Sequence, residues 1–205
     1  MNTNLSDSEL LGAVTATDET RTLERLHADL SARAQDDGIL DVAYRTIDTP
    51  VGTLLLAATV EGLVRVAYAI EDHDKVLTLL AERISPRVLE APGRLDLVAR
   101  EIDDYFGHRR DGFDVPLDFR LSRGFRRQVL DQLREIRYGD TASYGAIAAA
   151  AGNPKAVRAV GTACATNPLP VVVPCHRVVR SDGSAGGYVG GPQAKQTLLT
   201  LESSH

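Results

Sequence analysis

The sequence predicts an α+β protein built from an N-terminal domain with an antiparallel sheet and helices, and a C-terminal, mostly helical domain. Three observations support this division. Strand patterns occur over 41–69, helical periodicity follows over 72–106, and short helical segments separated by glycine turns occupy the chain after residue 120. We therefore assign 1–40 to an N-terminal extension, 41–118 to the first domain and 119–205 to the second.

The N-terminal extension contains one predicted helix. Residues 1–19 are polar and lack periodicity, which is typical of disorder. Over 20–36, four apolar side chains recur at helical spacing and form one stripe: Leu23, Leu26, Leu30 and Ala34. Gly38 is expected to end this helix.

The first domain is expected to open with three strands. The segments DVAYRTID, LLLAAT and LVRVAYA have strand patterns, and the turns TPVG and VEG separate them. Such closely spaced strands predict an antiparallel meander. Helical periodicity follows at 72–84 and 93–106, and residues 107–120 are expected to form a linker with a short extended piece.

Short helices dominate the C-terminal half. Helical patterns at 122–136, 143–151 and 154–166 are separated by the turn RYGDT and the break GNP. Two short helices joined by a tight turn with glycine predict a helix-turn-helix of winged-helix-like type. Asn153 and Pro154 are expected to begin the last of these helices.

The helix predicted over 154–166 has one face of small side chains. We expect the inward face to consist of Ala156, Ala159, Val160 and Ala163, and the outward face of Arg158, Thr162 and Ala165. A helix face with such small side chains can approach another surface closely, and the long cationic side chain of Arg158 would project from it. Alanine also favours helices on its own account, so a purely structural role is the alternative.

The segment after this helix leads to a candidate nucleophile. PLPVVV (168–173) predicts a buried extended run that ends in Pro174, Cys175 and His176. The following active-site loop, 181–191, is dense in glycine, which indicates mobility or close backbone approaches. A closing helix is expected over 192–202.

The charge is distributed unevenly along a chain of ordinary globular composition. Of the 205 residues 43% are hydrophobic, and the formal net charge is −5. From residue 121 onward there are ten Lys or Arg and five Asp or Glu, a net +5, so the first 120 residues carry −10. A basic half joined to an acidic half is typical of one module that contacts phosphate and one that does not, although solvated arginines give the same count.

Membrane insertion and secretion have no support in the sequence. The chain contains no run of eighteen apolar residues, and its N-terminus has neither the basic nor the apolar segment of a signal peptide. We therefore expect a cytoplasmic protein without a membrane partner. The two cysteines, Cys164 and Cys175, are too few for a disulfide framework and lack the spacing of a zinc site, so we expect no metal and no cofactor.

Cys175 and His176 are the residue types that thiol chemistry requires. A thiol reacts as the thiolate, and a histidine base is a common means of forming it near neutral pH. Adjacent residues of an extended chain point to opposite sides, so contact requires a bent backbone or a bridging water. A cysteine taken alone is more often a small buried hydrophobic residue.

The surrounding residues favour the reactive interpretation. PCHRVV (174–179) closely resembles the active-site signature of the O6-alkylguanine-DNA alkyltransferases, the methylated-DNA–protein-cysteine methyltransferases. SYG (143–145), AGNPKAVRAVG (151–161) and NPLPVVVPCHRVVRSDGSAGGY (167–188) follow that family in order and spacing. The first domain resembles the family's variable N-terminal domain through DTPVGTLLLAAT and its layout, whereas residues 1–40 have no counterpart.

The resemblance implies DNA repair by direct reversal of damage. Cys175 would accept a methyl or other alkyl group from O6 of guanine, with O4 of thymine as a second candidate position. His176 would take the thiol proton through a water, and Glu202 would orient the imidazole. Tyr144 would donate a proton or hydrogen bond to guanine N3. Because a thioether has no easy leaving path, each molecule would react once.

The resemblance also implies how DNA is bound. The damaged nucleotide must be turned out of the duplex, and Arg158 would fill the space that it leaves. The helix over 154–166 would enter the minor groove, with contacts from Lys155, Arg158, Ala159, Thr162 and Tyr144. The pocket for the turned-out base would involve Asn167, Cys164, Val178, Tyr188 and Val189. Val189 replaces a serine that is common in the family, and its bulk would alter which alkyl groups fit.

Three other functions are compatible with parts of this sequence. A damage-recognition relative of the alkyltransferase-like type would lack the nucleophile, which Cys175 supplies here. A helix-turn-helix DNA-binding protein without transfer activity would explain the basic half but not PCHR followed by a glycine-rich loop. A cysteine hydrolase would need an oxyanion hole, which the sequence does not indicate. The expected partner is double-stranded DNA that contains O6-alkylguanine, bound by a monomer, with cooperative assembly on DNA left open.

Overall fold

A computed structural model of the protein describes residues 7–203, and the chain divides into two compact units, residues 1–40 and 41–205. In the first unit, helix α1 runs from Asp7 to Asp36. Gly38 follows with a φ of 67°, and the amides of Ile39 and Leu40 donate to the carbonyl of Ala34 at 2.9 and 3.0 Å. The predicted end of this helix is therefore confirmed.

Helix α1 begins earlier than the sequence predicts. Residues 7–19 are helical, so the prediction of disorder is wrong for this range, while residues 1–6 lie outside the described residues. The segment contains several leucines and alanines, which are good helix formers, and a helix extends at little cost once its first turn exists.

The second unit starts with a four-stranded sheet. Its strands are β1 (Val42–Ile47), β2 (Leu54–Thr59), β3 (Gly62–Tyr68) and β4 (Val88–Glu90), in the spatial order β3-β2-β1-β4. Antiparallel pairing of β1 with β2 and of β2 with β3 confirms the predicted meander. Strand β4 pairs in parallel with β1 and is not predicted, because three residues are too few to display an alternating pattern.

Two helices complete the first domain. Helix α2 (His73–Arg83) and helix α3 (Asp96–Phe106) confirm the helical periodicity in this region, although the turn Pro92–Leu95 before α3 is a 3₁₀ helix. Val76 and Leu80 of α2 pack into a core whose other members come from the sheet: Val42, Leu55, Ala57, Val64 and Ala67. The α+β class is thus confirmed, with the core between the sheet and α2.

The outer edge of β3 joins the sheet to the rest of the unit. The Leu63 amide donates to the Pro116 carbonyl at 2.8 Å, and the Leu63 carbonyl accepts from the Asp118 amide at 2.8 Å, so the extended piece of the predicted linker is confirmed. Further along the same strand, the Val66 amide donates to the Pro168 carbonyl at 2.8 Å. Strand β3 therefore contacts the segment that leads to Cys175.

The C-terminal part is mostly helical, as predicted. Its helices are α4 (Phe125–Arg134), α5 (Tyr144–Ala150), α6 (Val157–Ala165) and α7 (Gly191–Ser203), and the short strands β5 (Ala142–Ser143) and β6 (Val178–Val179) pair in parallel. Helices α5 and α6 are joined by the turn at 151–156 and form the helix-turn-helix. Among residues 7–203, no helix is both long and apolar enough to span a bilayer.

Two helices start later than predicted. Helix α4 begins at Phe125 because Gly124 has a φ of 57°, which an α-helix cannot include. Helix α6 begins at Val157, and the Ala156 amide instead donates to the Asn153 carbonyl at 2.9 Å, closing a turn before the helix. The prediction that Asn153 and Pro154 begin this helix is therefore wrong by about one turn.

The buried face of α6 also differs from the prediction. Val160, Ala163 and Cys164 are buried, whereas Ala159 is exposed together with Arg158. The later start of the helix does not change its register, and the core lies along the line from Val160 to Cys164. The outward face consequently gains another small side chain, and its exposed members are Arg158, Ala159, Thr162 and Ala165.

Candidate active site

Cys175 lies on a buried turn that follows helix α6. The segment 169–173 is buried but not extended, because the Val173 amide donates to the Leu169 carbonyl at 2.7 Å and Val171 has a φ of 71°. The predicted extended run is therefore wrong. Asn167, which is fully buried, holds this loop closed: its Oδ1 accepts from the Leu169 amide at 2.9 Å, and its Nδ2 donates to the Val173 carbonyl at 2.8 Å.

The sulfur of Cys175 sits against Asn167. Asn167 Nδ2 also donates to Cys175 Sγ at 3.1 Å, and Cys175–Arg177 form a 3₁₀ turn directly after Pro174. Burial raises the pKa of the Cys175 thiol to about 11, although the hydrogen bond from Asn167 and the charge of Lys195 oppose the shift. The resting thiol is therefore neutral at pH 7, and its reaction as a nucleophile requires a base.

The His176 ring is anchored through one of its two nitrogens. It is fully buried, and Nε2 lies 2.9 Å from Oε1 of Glu202. An ionised carboxylate can only accept, so Nε2 carries the hydrogen and Nδ1 is left as an acceptor in the neutral ring. Nδ1 is buried and has no hydrogen-bond partner among the described protein atoms. One nitrogen is thus fixed by the carboxylate and the other is available to receive a proton.

Glu202 accepts hydrogen bonds from four residues. Arg177 binds both carboxylate oxygens, with Nε 2.9 Å from Oε2 and an Nη 2.8 Å from Oε1. The Tyr105 hydroxyl donates to Oε1 at 2.5 Å, His176 donates to the same oxygen, and the Gly139 amide donates to Oε2 at 3.4 Å. Helix α7 therefore brings Glu202 to the turn Cys175–Arg177, which we call the thiol turn. Helix α3 of the first domain adds Tyr105 to the cluster around this carboxylate.

The ionisation of this cluster follows from its partners. Burial raises the pKa of Glu202, but the hydrogen bonds and charges of His176 and Arg177 outweigh it and hold the pKa at about 2. Burial lowers the pKa of His176, while Glu202 opposes the change. These directions describe an ionised Glu202, a neutral His176 ring and a neutral Cys175 thiol at pH 7.

Two tyrosines lie beside the sulfur. Burial raises the pKa of Tyr144 and of Tyr188, and the negative charge of a Cys175 thiolate acts in the same direction on both. The Tyr188 ring packs edge-on against His176, with centroids 6.2 Å apart, and its hydroxyl lies 3.0 Å from that of Tyr68 on β3. The Tyr144 hydroxyl lies so close to Gly186 that a Cβ there would overlap it. Both phenols thus remain protonated next to the thiol.

The remaining expected pocket residues lie around this centre. Val178 is buried on β6, and its carbonyl accepts from Lys195 Nζ at 2.6 Å. Cys164 is buried on α6, and burial together with Cys175 raises the pKa of its thiol. Val189 is half-buried and lines, with Asn167, a groove that opens beside α6.

The residues expected to meet DNA are exposed on or next to α6. Arg158, Ala159 and Thr162 lie on its outward face, and Lys155 is exposed in the preceding turn. Thr162 Oγ1 donates to the Arg158 carbonyl at 3.2 Å, so its hydroxyl is directed along the helix. No ion pair involves Arg158 within the part of the chain that the structure describes. The side chains on this face are small, uncharged apart from Arg158, and accessible to solvent.

Sequence reasoning missed four residues of the site: Arg177, Tyr105, Lys195 and Tyr68. A signal existed for two of them. Arg177 is a cation inside the apolar run PVVVPCHRVV, which indicates a buried, paired charge. Lys195 shares a helical stripe with Leu198 and Glu202, so it is expected to be buried with them. Tyr105 and Tyr68 belong to core patterns of α3 and β3 that do not reveal distant partners.

The described residues contain no metal-binding group of three or more His, Cys, Asp or Glu side chains. The chain brings a buried thiol next in sequence to an imidazole that is hydrogen-bonded to a carboxylate. This arrangement, next to a helix-turn-helix with an accessible small face, defines the class of the protein as one that combines a cysteine nucleophile with a DNA-binding motif.

Comparison with known proteins identifies the family. Residues 42–119 match the family model described as 6-O-methylguanine DNA methyltransferase, ribonuclease-like domain, and residues 124–204 match 6-O-methylguanine DNA methyltransferase, DNA binding domain. A methylated-DNA–protein-cysteine methyltransferase of Mycolicibacterium paratuberculosis is 40% identical over 164 residues, which cover 80% of this chain and 94% of the relative. The chain belongs to the 6-O-methylguanine DNA methyltransferase family.

Solved structures agree with this membership. The crystal structure of Mycobacterium tuberculosis O6-methylguanine methyltransferase matches with a TM-score of 0.70 and 38% identity, over 80% of this chain and 93% of that one. A Mycobacterium tuberculosis OGT structure in complex with DNA matches with a TM-score of 0.68 and 38% identity, over 79% of this chain and 93% of that one. The fold described above is therefore the family fold.

The Glu202 cluster predicts a pH-dependent stability. The folded pKa of about 2 lies below the ordinary 4.5, so this carboxylate stabilises the fold above the unfolded pKa, and the contribution is lost as the pH falls towards 2. We expect Glu202→Gln to lower the free energy of unfolding by about 3–5 kcal/mol at pH 7, since Arg177 loses its buried partner. The deficit should shrink below about pH 4.

Urea denaturation of both proteins between pH 7 and pH 3 measures this difference. Glu135→Gln removes an exposed carboxylate at the end of α4 and serves as the matched control, with an expected change within about 0.5 kcal/mol. A Glu202→Gln deficit that is absent at pH 7, or that does not decrease with acidification, would contradict the assigned network.

Proposed function

We propose that the protein repairs DNA by moving an alkyl group from O6 of a damaged guanine onto Cys175, once per molecule. The observation that carries the proposal is the buried Cys175 thiol followed by His176, whose Nε2 is held by ionised Glu202 and whose Nδ1 is unpartnered. Relatives of similar length are named methylated-DNA–protein-cysteine methyltransferases, and that name describes the same reaction.

The transfer is a displacement at the alkyl carbon. A new bond forms between Cys175 Sγ and the alkyl carbon while the bond from that carbon to guanine O6 breaks. His176 accepts the thiol proton at Nδ1 through a bridging water, and Glu202 stabilises the imidazolium that forms. The guanine that leaves gains one proton, so the thiol hydrogen is replaced by the alkyl group and no co-reactant is consumed.

Tyr144 assists the leaving base in this scheme. Its hydroxyl remains protonated because burial raises its pKa. A phenol in this state donates a hydrogen bond, or a proton, to guanine N3 as negative charge develops on the ring. Asn167 holds the sulfur in place, which makes it a positioning residue for the nucleophile.

The pocket for the base is assembled from the loop and the β6 segment. We assign recognition of the guanine edge to the backbone of Val178 and of Tyr188 and Val189, with the Tyr188 ring over the base and Cys164 near the floor. Cys175 is only 1% exposed, so the base enters by displacing side chains of the glycine-rich loop. The bulk of Val189 then restricts the size of the alkyl group that fits.

The partner in this proposal is duplex DNA, bound through the minor groove. The exposed face of α6 carries small side chains, which suits close approach to a narrow groove, and Lys155, Ala159 and Thr162 line that approach. The target base must leave the stack to reach a buried thiol, and Arg158 fills the vacated space. We propose a monomer that acts in the cytoplasm, where reducing conditions keep both thiols free.

The transfer itself predicts a mass change at one residue. After incubation with a duplex that contains O6-methylguanine, intact-mass measurement should show one added methyl group, mapped by peptide analysis to Cys175. Cys164→Ser should be modified like the parent protein, and Cys175→Ala should not be modified. Methylation at Cys164, or tight binding of the damaged duplex without any mass change, would contradict the proposal, and the second result would indicate a damage-recognition protein.

Arg158 is proposed to act as a wedge that fills the space left by the extruded base. This role predicts an effect that depends on the substrate. Extrusion of a base costs a few kcal/mol, so Arg158→Ala should slow methyl transfer from duplex DNA by a factor of about 10–100 and leave the reaction with free O6-methylguanine unchanged. Single-turnover rates on the two substrates measure this split. Arg137→Ala, at an exposed arginine in another turn, is the control and should react normally on both. Equal losses on duplex and free base would refute the wedge role.

A further inference from the structure

A groove of about 1010 Å³ runs along the outward face of α6. Its lining includes Ala159, Thr162 and Ala165 of α6, together with residues of α2 in the first domain and of the segment that leads into α4. Asn167, which donates to Cys175 Sγ, and Val189 also line it. The groove therefore places parts of both domains beside the helix that we assign to the minor groove.

Arginine dominates the polar lining of this groove. Its five arginines are Arg65, Arg83, Arg120, Arg123 and Arg126, and we call it the arginine groove; its only acidic lining residue is Glu71. Glu71 pairs with Arg65, whose Nε is nevertheless buried without a hydrogen-bond partner, and Arg120 pairs with Asp118 outside the lining. The groove thus carries a strong excess of positive charge.

Three of these arginines have no internal counter-ion. Arg83, Arg123 and Arg126 are exposed, and no salt bridge or side-chain hydrogen bond involves them within residues 7–203. Outside the groove, five exposed or half-buried arginines pair with acids: Arg45, Arg87, Arg109, Arg110 and Arg127. Three exposed guanidinium groups without carboxylate partners in one groove fit an anionic partner that the chain itself does not supply.

The geometry of B-DNA identifies the anion. The minor groove is about 6 Å wide, so a helix that enters it has a sugar-phosphate backbone on each side. Helix α6 and the arginines line the same groove, so phosphates of a strand beside α6 would lie close to the guanidinium groups. Arginine binds phosphate oxygens through a planar fork of donors, so the chemistry matches as well as the charge.

We propose that the arginine groove holds the phosphate backbone of one DNA strand beside the minor groove occupied by α6. The proposal rests on the proposed repair function and extends the DNA interface to the first domain through Arg83. It also changes the interpretation of the charge distribution. The first 120 residues carry −10 overall, yet they contribute Arg65, Arg83 and Arg120 to this surface. In this proposal both halves of the chain contact phosphate, and not the basic half alone.

Salt dependence of binding tests the proposal, because each phosphate contact lowers the slope of log K against log salt by about 0.9. Arg83→Gln and Arg126→Gln, which belong to different domains, should each reduce the magnitude of that slope by about 0.9, and the double variant by about twice as much. Binding of the full chain to an O6-methylguanine duplex is measured by fluorescence anisotropy between 50 and 200 mM salt, a range of about fourfold. Arg134→Gln, an exposed arginine on α4 outside the groove, is the control and should keep the parent slope.

Reaction with free O6-methylguanine separates the two proposals. All four variants should methylate Cys175 from the free base at the parent rate, since none of the substituted residues contacts the thiol turn, and matching urea midpoints verify their folding. Parent slopes in Arg83→Gln and Arg126→Gln overturn the arginine groove while the repair function stands. An equal change in Arg134→Gln also overturns it, because the effect would then reflect total charge. Absence of transfer in the parent protein overturns the repair function instead.

Discussion

A single buried carboxylate, Glu202, is the constraint on which the C-terminal structure depends. It accepts hydrogen bonds from Tyr105 of α3, from His176 and Arg177 of the thiol turn, and from the backbone of Gly139. Removal of an ionised carboxylate from water is costly, and a bidentate guanidinium with three further donors is the kind of environment that offsets this cost. Helices α3 and α7, the turn at Gly139 and the turn Cys175–Arg177 are thereby joined at one side chain. Loss of Glu202 therefore affects folding and chemistry together.

The sulfur and the neighbouring imidazole are held by separate side chains. Asn167 donates to Cys175 Sγ, and Glu202 holds His176 at Nε2. Asn167 in turn belongs to a junction that the first domain supports, because β3 donates to it through the Arg65 side chain at 3.3 Å and to Pro168 through backbone. A domain that supplies none of the reacting groups therefore determines where the nucleophile lies. Its contribution to reactivity is geometric, and its contribution to DNA binding, in the proposal above, is electrostatic.

Local patterns predicted the elements of this fold, and tertiary contacts explain what they missed. Local sequence patterns located the meander and the helices α1 to α7, and the resemblance supplied the roles of Cys175, His176 and Glu202. The prediction that 168–173 is extended was wrong because the buried Asn167 side chain hydrogen-bonds to the Leu169 amide and the Val173 carbonyl. These bonds close the segment into a loop and take the place of bonds to a neighbouring strand. The contact of Tyr105 with Glu202 joins residues 97 positions apart, and no periodicity in either helix encodes it.

The tautomer of His176 decides whether the imidazole can receive the thiol proton, because that transfer needs a hydrogen on Nε2 and a bare Nδ1. Long-range proton–nitrogen NMR spectra of the ¹⁵N-histidine-labelled protein at pH 7, assigned by comparison with His176→Gln, report both ring nitrogens. We expect a neutral ring protonated at Nε2, with Glu202→Gln changing that signal. A hydrogen on Nδ1, or a ring protonated on both nitrogens, would leave no site for the thiol proton and would rule out His176 as its acceptor.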